Sequence, residues 1–249
     1  MVSGLHYPAL RNASIRSFLG ACMVGICLVM VLLAEPRVAE QWQKRQEDIL
    51  AGKLVDAMAA ATVVAEFIAP ERGAALVAMR DRSDAVLKDQ AQGRAKTDGA
   101  FDVIAGLLTA IPTADGLDIA AGLDAIRGDL LKFRARLDAA ASSHDDSRIA
   151  AEMPVVPGTF GALTDRLNAL NDRLERALFS VDANVADIAR VGRMGWLLRD
   201  RAGRLSSDYV LALASGKAMP ADFVQETATA RGRFLEVWSQ LEQLSESPS

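Results

Sequence analysis

Between Ser17 and Ala34 the chain reads SFLGACMVGICLVMVLLA, eighteen residues with no charge among them. At about 1.5 Å of rise per residue, such a helix just spans a hydrocarbon core of about 30 Å. A cleaved secretory signal is the competing reading. Its apolar region usually runs about 7–15 residues and ends at a small-x-small site. Here the nearest such site would put Arg37 where a small residue belongs. Leu19-Gly20-Ala21-Cys22 imitates a lipidation box, but the apolar run follows Cys22 instead of preceding it. The expectation is an uncleaved transmembrane helix over 17–34. Arg11 and Arg16 precede it with no acid before them, whereas Glu35, Arg37 and Glu40 follow it as a mixed set. Positive charge stays on the cytoplasmic side. Residues 1–16 are therefore expected in the cytoplasm and the bulk outside, in a bacterium the periplasm, as a single-pass protein of the inner (cytoplasmic) membrane. No second apolar run of spanning length follows.

Beyond the anchor the apolar residues recur at helical spacing. Ile119, Leu123, Ile126, Leu130, Phe133 and Leu137 alternate steps of four and three. So do Phe160, Leu163, Leu167, Leu170, Leu174, Ala177 and Val181, and again Phe223, Thr227, Ala230, Phe234, Val237, Leu241 and Leu244. A repeat of about 3.5 residues draws one apolar seam along each helix, the pattern of bundles packed at shallow angles. Ala and Leu dominate the composition, with Asp, Glu and Arg as the main charges; Ala, Leu, Arg and Glu lose little on entering a helix, and strand-like alternation is absent. The expected fold is all-α: the N-terminal transmembrane helix, then an elongated antiparallel helical bundle in two repeated halves, 35–141 and 159–249, joined by a loop at 142–158. Breakers suggest helices over 38–69, 71–92, 97–111 and from 115 to about 141, with Pro70 and Pro112 as interruptions. A long helix is expected from Thr159 to about Ala214, bent at Gly192 or Gly195. A turn at 215–220, a last helix over 221–244 and a frayed tail follow. Arg134, Arg136, Asp138, Arg166, Asp172, Arg173 and Glu175, lying between the seams, read as solvated faces.

Two segments look like copies of one unit. Pro70-Glu71-Arg72-Gly73-Ala74-Ala75-Leu76 aligns with Arg199-Asp200-Arg201-Ala202-Gly203-Arg204-Leu205, and Arg94 and Phe101 are spaced as Arg231 and Trp238 are. Glu71-Arg72-Gly73, then Arg94-Ala95-Lys96-Thr97-Asp98-Gly99-Ala100-Phe101, and the segment from Arg199 to Ser206 resemble the nitrate/nitrite-sensing type of helical sensor domain. The resemblance covers about residues 41–244. Such domains are the extracytoplasmic input of methyl-accepting chemotaxis proteins, histidine kinases and diguanylate cyclases. It implies signal transduction, chemotaxis among its outputs. The sequence departs from that pattern in lacking a second membrane helix and an output module, so a stand-alone or truncated input region is expected.

Catalysis finds little support. His6 and His144 belong to no Glu-x-x-His or HExxH pattern, and no phosphate loop, nucleophile elbow or paired-Cys site is present. Cys22 and Cys27, the only cysteines, read as small filler within the apolar stretch. His144 beside Asp145 and Asp146 reads as a solvated loop rather than a surface metal site. No enzyme activity, no metal and no cofactor are expected. With a net charge of -4 and no basic run, a nucleic-acid partner is not expected either. Binding is better supported. Arg72, Arg94, Arg201 and Arg231 hold matching places in the repeat, near small residues that let helices approach. A guanidinium offers a planar fork of donors to carboxylate, nitrate or phosphate. Each arginine either pairs with a protein acid, such as Glu71 or Asp200, or receives a small anion. Trp196, Trp238 and Phe101 read as core. The leading expectation is a membrane-anchored sensory input domain that detects a small, anionic ligand and transmits by helix displacement. It would act as a homodimer, with a signalling partner supplying the output module. The alternative is a structural or adaptor bundle tethered to the membrane that docks a helical partner.

Overall fold

The computed structural model describes residues 15–111, 114–143, 145–215 and 221–246. The expectations for Arg11, Pro112, His144, the turn residues 216–220 and the last residues of the tail lie outside them. Among the described residues the chain is almost wholly helical, with no strand. The helices are α1 (Ile15–Arg80), α2 (Asp84–Thr109), α3 (Ala114–Ser142), α4 (Asp146–Glu152), α5 (Val155–Val181), α6 (Ala183–Ser215) and α7 (Ala221–Glu246). They fall into two units, Met1–Ile49 and Leu50–Ser249.

In the first unit, the apolar part of α1 keeps its side chains exposed all round. Phe18, Met23, Ile26 and Met30 are each more than half exposed, and free Cys22 and Cys27 lie among them. No other helix among the described residues is long and apolar enough to cross a membrane. Apolar exposure on every side disfavours water as the surroundings of this segment.

In the second unit, the seams of α3 and α5 form the core. Ile119, Leu123, Ile126, Leu130, Phe133 and Leu137 are all at most 5 % exposed, and Phe160 through Leu174 of the α5 seam are equally buried. The Phe133 and Phe160 rings meet edge to face, with centroids 5.7 Å apart. Neighbouring pairs are α2 with α3, α3 with α4 and α5, α4 with α5, α5 with α6 and α6 with α7. From Ala51 on, α1 adds Leu54, Ala57, Ala61, Val64 and Ile68 to the same core. On α7, Thr227 is buried, and Phe234 and Val237 are half-buried.

The helix boundaries differ from the sequence reading at four places, each for a local reason. Pro70 does not interrupt α1. It lies on the exposed side, while Ala65, Ile68, Ala75 and Met79 of the other side are buried. The packed side carries the axis past the missing hydrogen bond. The break falls instead at 81–83, where the Asp81 carboxylate accepts the Ser83 amide at 2.9 Å. The helix that follows does not stop near Gly93, because Thr97, Ala100, Phe101, Ile104 and Leu108 continue one buried stripe. The segment expected as a loop at 142–158 contains α4, capped by Asp145 on the Ser147 amide at 2.9 Å, and the start of α5. Finally, the expected long helix divides at Asp182, not at a glycine. Asp182 is extended, and its carboxylate accepts the amides of Asn184 and Val185 at 2.9 and 3.1 Å, starting α6. Gly192 and Gly195 each cost a helix only about 1 kcal/mol, and α6 runs through both.

Candidate functional site

Two charged regions meet on α1. The first is closed. Arg134 of α3, read from sequence as a solvated charge, is 5 % exposed. Its Nε and Nη2 donate to the two carboxylate oxygens of Glu71 at 2.6 and 2.8 Å, and its Nη1 donates to Asp98 of α2 at 2.6 Å. Burial disfavours the cation, but the bonds to Glu71 and Asp98 outweigh it and hold Arg134 above the ordinary arginine value. Glu71 is 1 % exposed. The seam pattern could not announce this. Arg134 directly follows Phe133, a seam residue, so it sits at the edge of the buried stripe and is covered where α1 and α2 both pack against α3.

The second region is an open cleft of about 290 Å³ between α1, α5 and α6. Arg72 and Glu66 come from α1, Thr164 from α5, and Trp196, Arg199 and Arg204 from α6, with Asp200 beside them. Arg199 Nη1 donates to Glu66 at 2.5 Å. Arg204 donates from Nε to Asp200 at 2.9 Å and from Nη2 to Asp165 at 3.0 Å. Gly161 of α5 lies against it; a Cβ there would be in ordinary contact, 3.4 Å from Arg204 Nη1. The lining holds three guanidinium groups and two carboxylates; with Asp165, which pairs with Arg204 from just outside it, the charges balance, and the pairs made are those of Arg199 and Arg204. Arg72 has no hydrogen-bond or ion-pair partner among the described residues. The acids of the lining are engaged elsewhere, Glu66 by Arg199 and Asp200 by Arg204, and its neighbour in sequence, Glu71, is held by Arg134.

The four arginines singled out in the sequence do not share one place. Arg72 lines the cleft. Arg94 is bound by both oxygens of Asp138, at 2.8 and 2.7 Å. Arg201 is half-buried and Arg231 exposed, and neither is part of the cleft lining. Arg199 and Arg204, which do line it, belong to the second copy of the suggested repeat but were not singled out. The signal for them was the density of arginine between Arg199 and Arg204. Of the three aromatics read as core, Phe101 is fully buried, Trp196 is half-buried and lines the cleft, and Trp238 is 47 % exposed with its Nε1 donating to Glu242 at 2.6 Å.

A further cluster joins α5 to α6. Glu175, also read as solvated, is 8 % exposed and accepts from Arg190 Nε at 2.6 Å and Arg193 Nη1 at 2.5 Å. Burial pushes its carboxyl up, but these two bonds overcome that and hold it below the ordinary glutamate value. Among the described residues no group of three or more His, Cys, Asp or Glu is placed to hold a metal ion. No family model matches the chain, and no curated protein or solved structure is significantly similar to it.

Proposed function

We propose that this chain is a membrane-anchored, extracytoplasmic sensory input domain that takes a small anion in the cleft between α1, α5 and α6. The observation that supports this reading is the position of Arg72. It stands in a cleft whose other two arginines are paired with carboxylates, while it has no hydrogen-bond or ion-pair partner itself among the described residues. A guanidinium in that situation favours an incoming carboxylate or nitrate over water, since a bidentate anion satisfies its fork of donors. The cleft volume of about 290 Å³ suits a ligand of a few heavy atoms. In this reading residues 17–34 span the inner membrane with the N-terminus inside and the bulk in the periplasm. The ligand bridges α1 to α6 and shifts their packing by its differential affinity for two arrangements. A homodimer and a partner carrying the output module would complete the receptor. The antiparallel arrangement of two repeated halves belongs to the same proposal; both suggested copies contribute arginines to the one cleft.

The test is thermal stabilisation of the full chain in detergent by nitrate, acetate and succinate at constant ionic strength. At least one is expected to raise the melting temperature in a saturable way, and Arg72→Ala to abolish the effect. Equal responses of the two proteins would remove the anion from the reading. The adaptor alternative has the exposed apolar residues Phe179, Ile188 and Val191 in its favour. A stoichiometric helical partner, together with no saturable anion effect, would select it.

A further inference from the structure

The described part of the first unit is one stretch of α1, and one side of it is apolar and uncovered. At about 100° per residue, Gly20, Val24 and Cys27 fall within about 40° of one direction around the axis, and Val38, Trp42 and Ile49 fall in the same sector. Val38 and Trp42 are each 63 % exposed and Ile49 is 45 % exposed. Glu40, Gln43 and Glu47 take the opposite side, where Gln43 donates to Glu47 at 2.9 Å. Such a division belongs to a helix that packs on one side only.

Within the uncharged run this side is concave. Gly20, Met23, Val24, Cys27 and Leu28 line a groove there. The first four stand at i, i+3, i+4 and i+7, the corners of the hole into which a neighbouring helix sets a side chain. Gly20 has no side chain, so a second backbone can approach it closely. Lipid can cover this groove but not Val38 to Ile49, which stand beyond the uncharged run. A water-borne partner reaches the second stretch but not the first. The occupant that fits both is a helix that is apolar over one stretch and amphipathic over the next.

From this we infer that a second copy of this chain docks on the face running from Gly20 to Ile49, the two α1 helices side by side and parallel. A common membrane orientation makes them parallel, and the same face on both copies makes the contact two-fold. Arg45 is the one charge within the sector, with Asp48 near its edge. A single polar residue on a seam fixes the register of two helices at some cost in stability. The charges flanking the sector, Glu35 and Asp48, lie on opposite sides and about 20 Å apart along the axis, so like charges do not oppose each other. This interface rests on the proposed membrane span at 17–34 and on nothing in the anion cleft.

The two native cysteines, both free, supply the test. Cys22 lies about 140° around the helix from Cys27, off the face. A disulfide needs Cα atoms within about 7 Å of each other. Membranes holding the full chain are oxidised with iodine, which enters the bilayer, and run on a non-reducing gel. Cys22→Ala, which keeps Cys27, is expected to run mostly as a dimer, and Cys27→Ala as a monomer. In a chain lacking both cysteines, Trp42→Cys is expected to link and Gln43→Cys to remain monomeric. Equal linking through Cys22 and Cys27, or no linking through Cys27 and Trp42→Cys, would overturn the interface while a chain that resists alkaline carbonate extraction keeps its span. Release by carbonate would remove the span, and the interface with it.

Discussion

Glu71 and Arg72 are consecutive residues on α1 and lead opposite lives. A helix turns about 100° per residue, so neighbours in sequence serve different faces. Glu71 faces α3 and is sealed, its two oxygens taken by one guanidinium. Arg72 faces the side shared with α5 and α6, where the local acids are already in use. The difference teaches how to separate a structural charge from an available one. A charge that is buried and fully bonded holds helices together. A half-buried charge whose possible partners are committed is left for something else.

Removing one member of the closed network should have the largest effect. Arg134→Ala strands Glu71 without its partner in the core, and is expected to cost about 3–5 kcal/mol in denaturant unfolding. Replacing both by apolar residues, Arg134→Met with Glu71→Leu, should recover most of that loss. If Arg134→Ala unfolds at the same denaturant concentration as the unaltered chain, the network is not a structural clamp.

The Glu175 cluster stands between the two extremes, buried but partly open to solvent through Arg190. Glu175→Gln weakens two bonds to charged donors and is expected to cost about 1.5–3 kcal/mol at neutral pH. The pH dependence follows from its depressed carboxyl. The unfolded chain binds a proton near the ordinary glutamate value of 4.5, and the folded chain only below that. The contribution of Glu175 is therefore complete above that value and is lost as pH falls through the folded one. Unfolding curves measured down this acid range should fall less steeply in Glu175→Gln than in the unaltered chain. Parallel curves would mean that Glu175 does not set the acid limb.

The seams of α3 and α5 were legible because apolar periodicity reports one face of one helix, and every residue named in the α3 seam is buried. The charges beside them were not. Whether Arg134 or Glu175 meets water depends on which neighbouring helix covers the edge of the stripe, which is a property of two or three helices together. Asp182 as the helix boundary was readable in principle as an N-cap, but the glycines ten and thirteen residues later drew the bend to themselves. The cleft was half legible. Arg72 was named, and its independence from Glu71 could be known only once Arg134 was seen to hold that acid.

Arg94 supplies a control of smaller effect. It was grouped with Arg72 in the sequence, yet its guanidinium is bidentate on Asp138, whose side chain is 51 % exposed. Arg94→Ala should cost at most about 1 kcal/mol, as exposed ion pairs do, and leave any anion response intact. An anion response lost with Arg94 would move the site from the cleft to the α2–α3 surface.

Arg72→Ala should change stability least of all, by no more than about 0.5 kcal/mol, because it removes no hydrogen bond or ion pair among the described residues. Its effect should appear in binding alone. Losing the guanidinium removes the one lining cation that has no carboxylate partner among the described residues, with Arg199 and Arg204 still engaged by Glu66, Asp165 and Asp200. Those two arginines can then offer an anion only what their own carboxylates release. Arg72→Lys distinguishes charge from shape, since lysine restores the charge but not the planar fork. Full recovery by lysine would mean that the cleft attracts anions by charge; partial recovery would mean that it reads their geometry. A chain with Arg72→Ala that is markedly less stable in the absence of any anion would make Arg72 a second clamp, and the contrast with Glu71 would disappear.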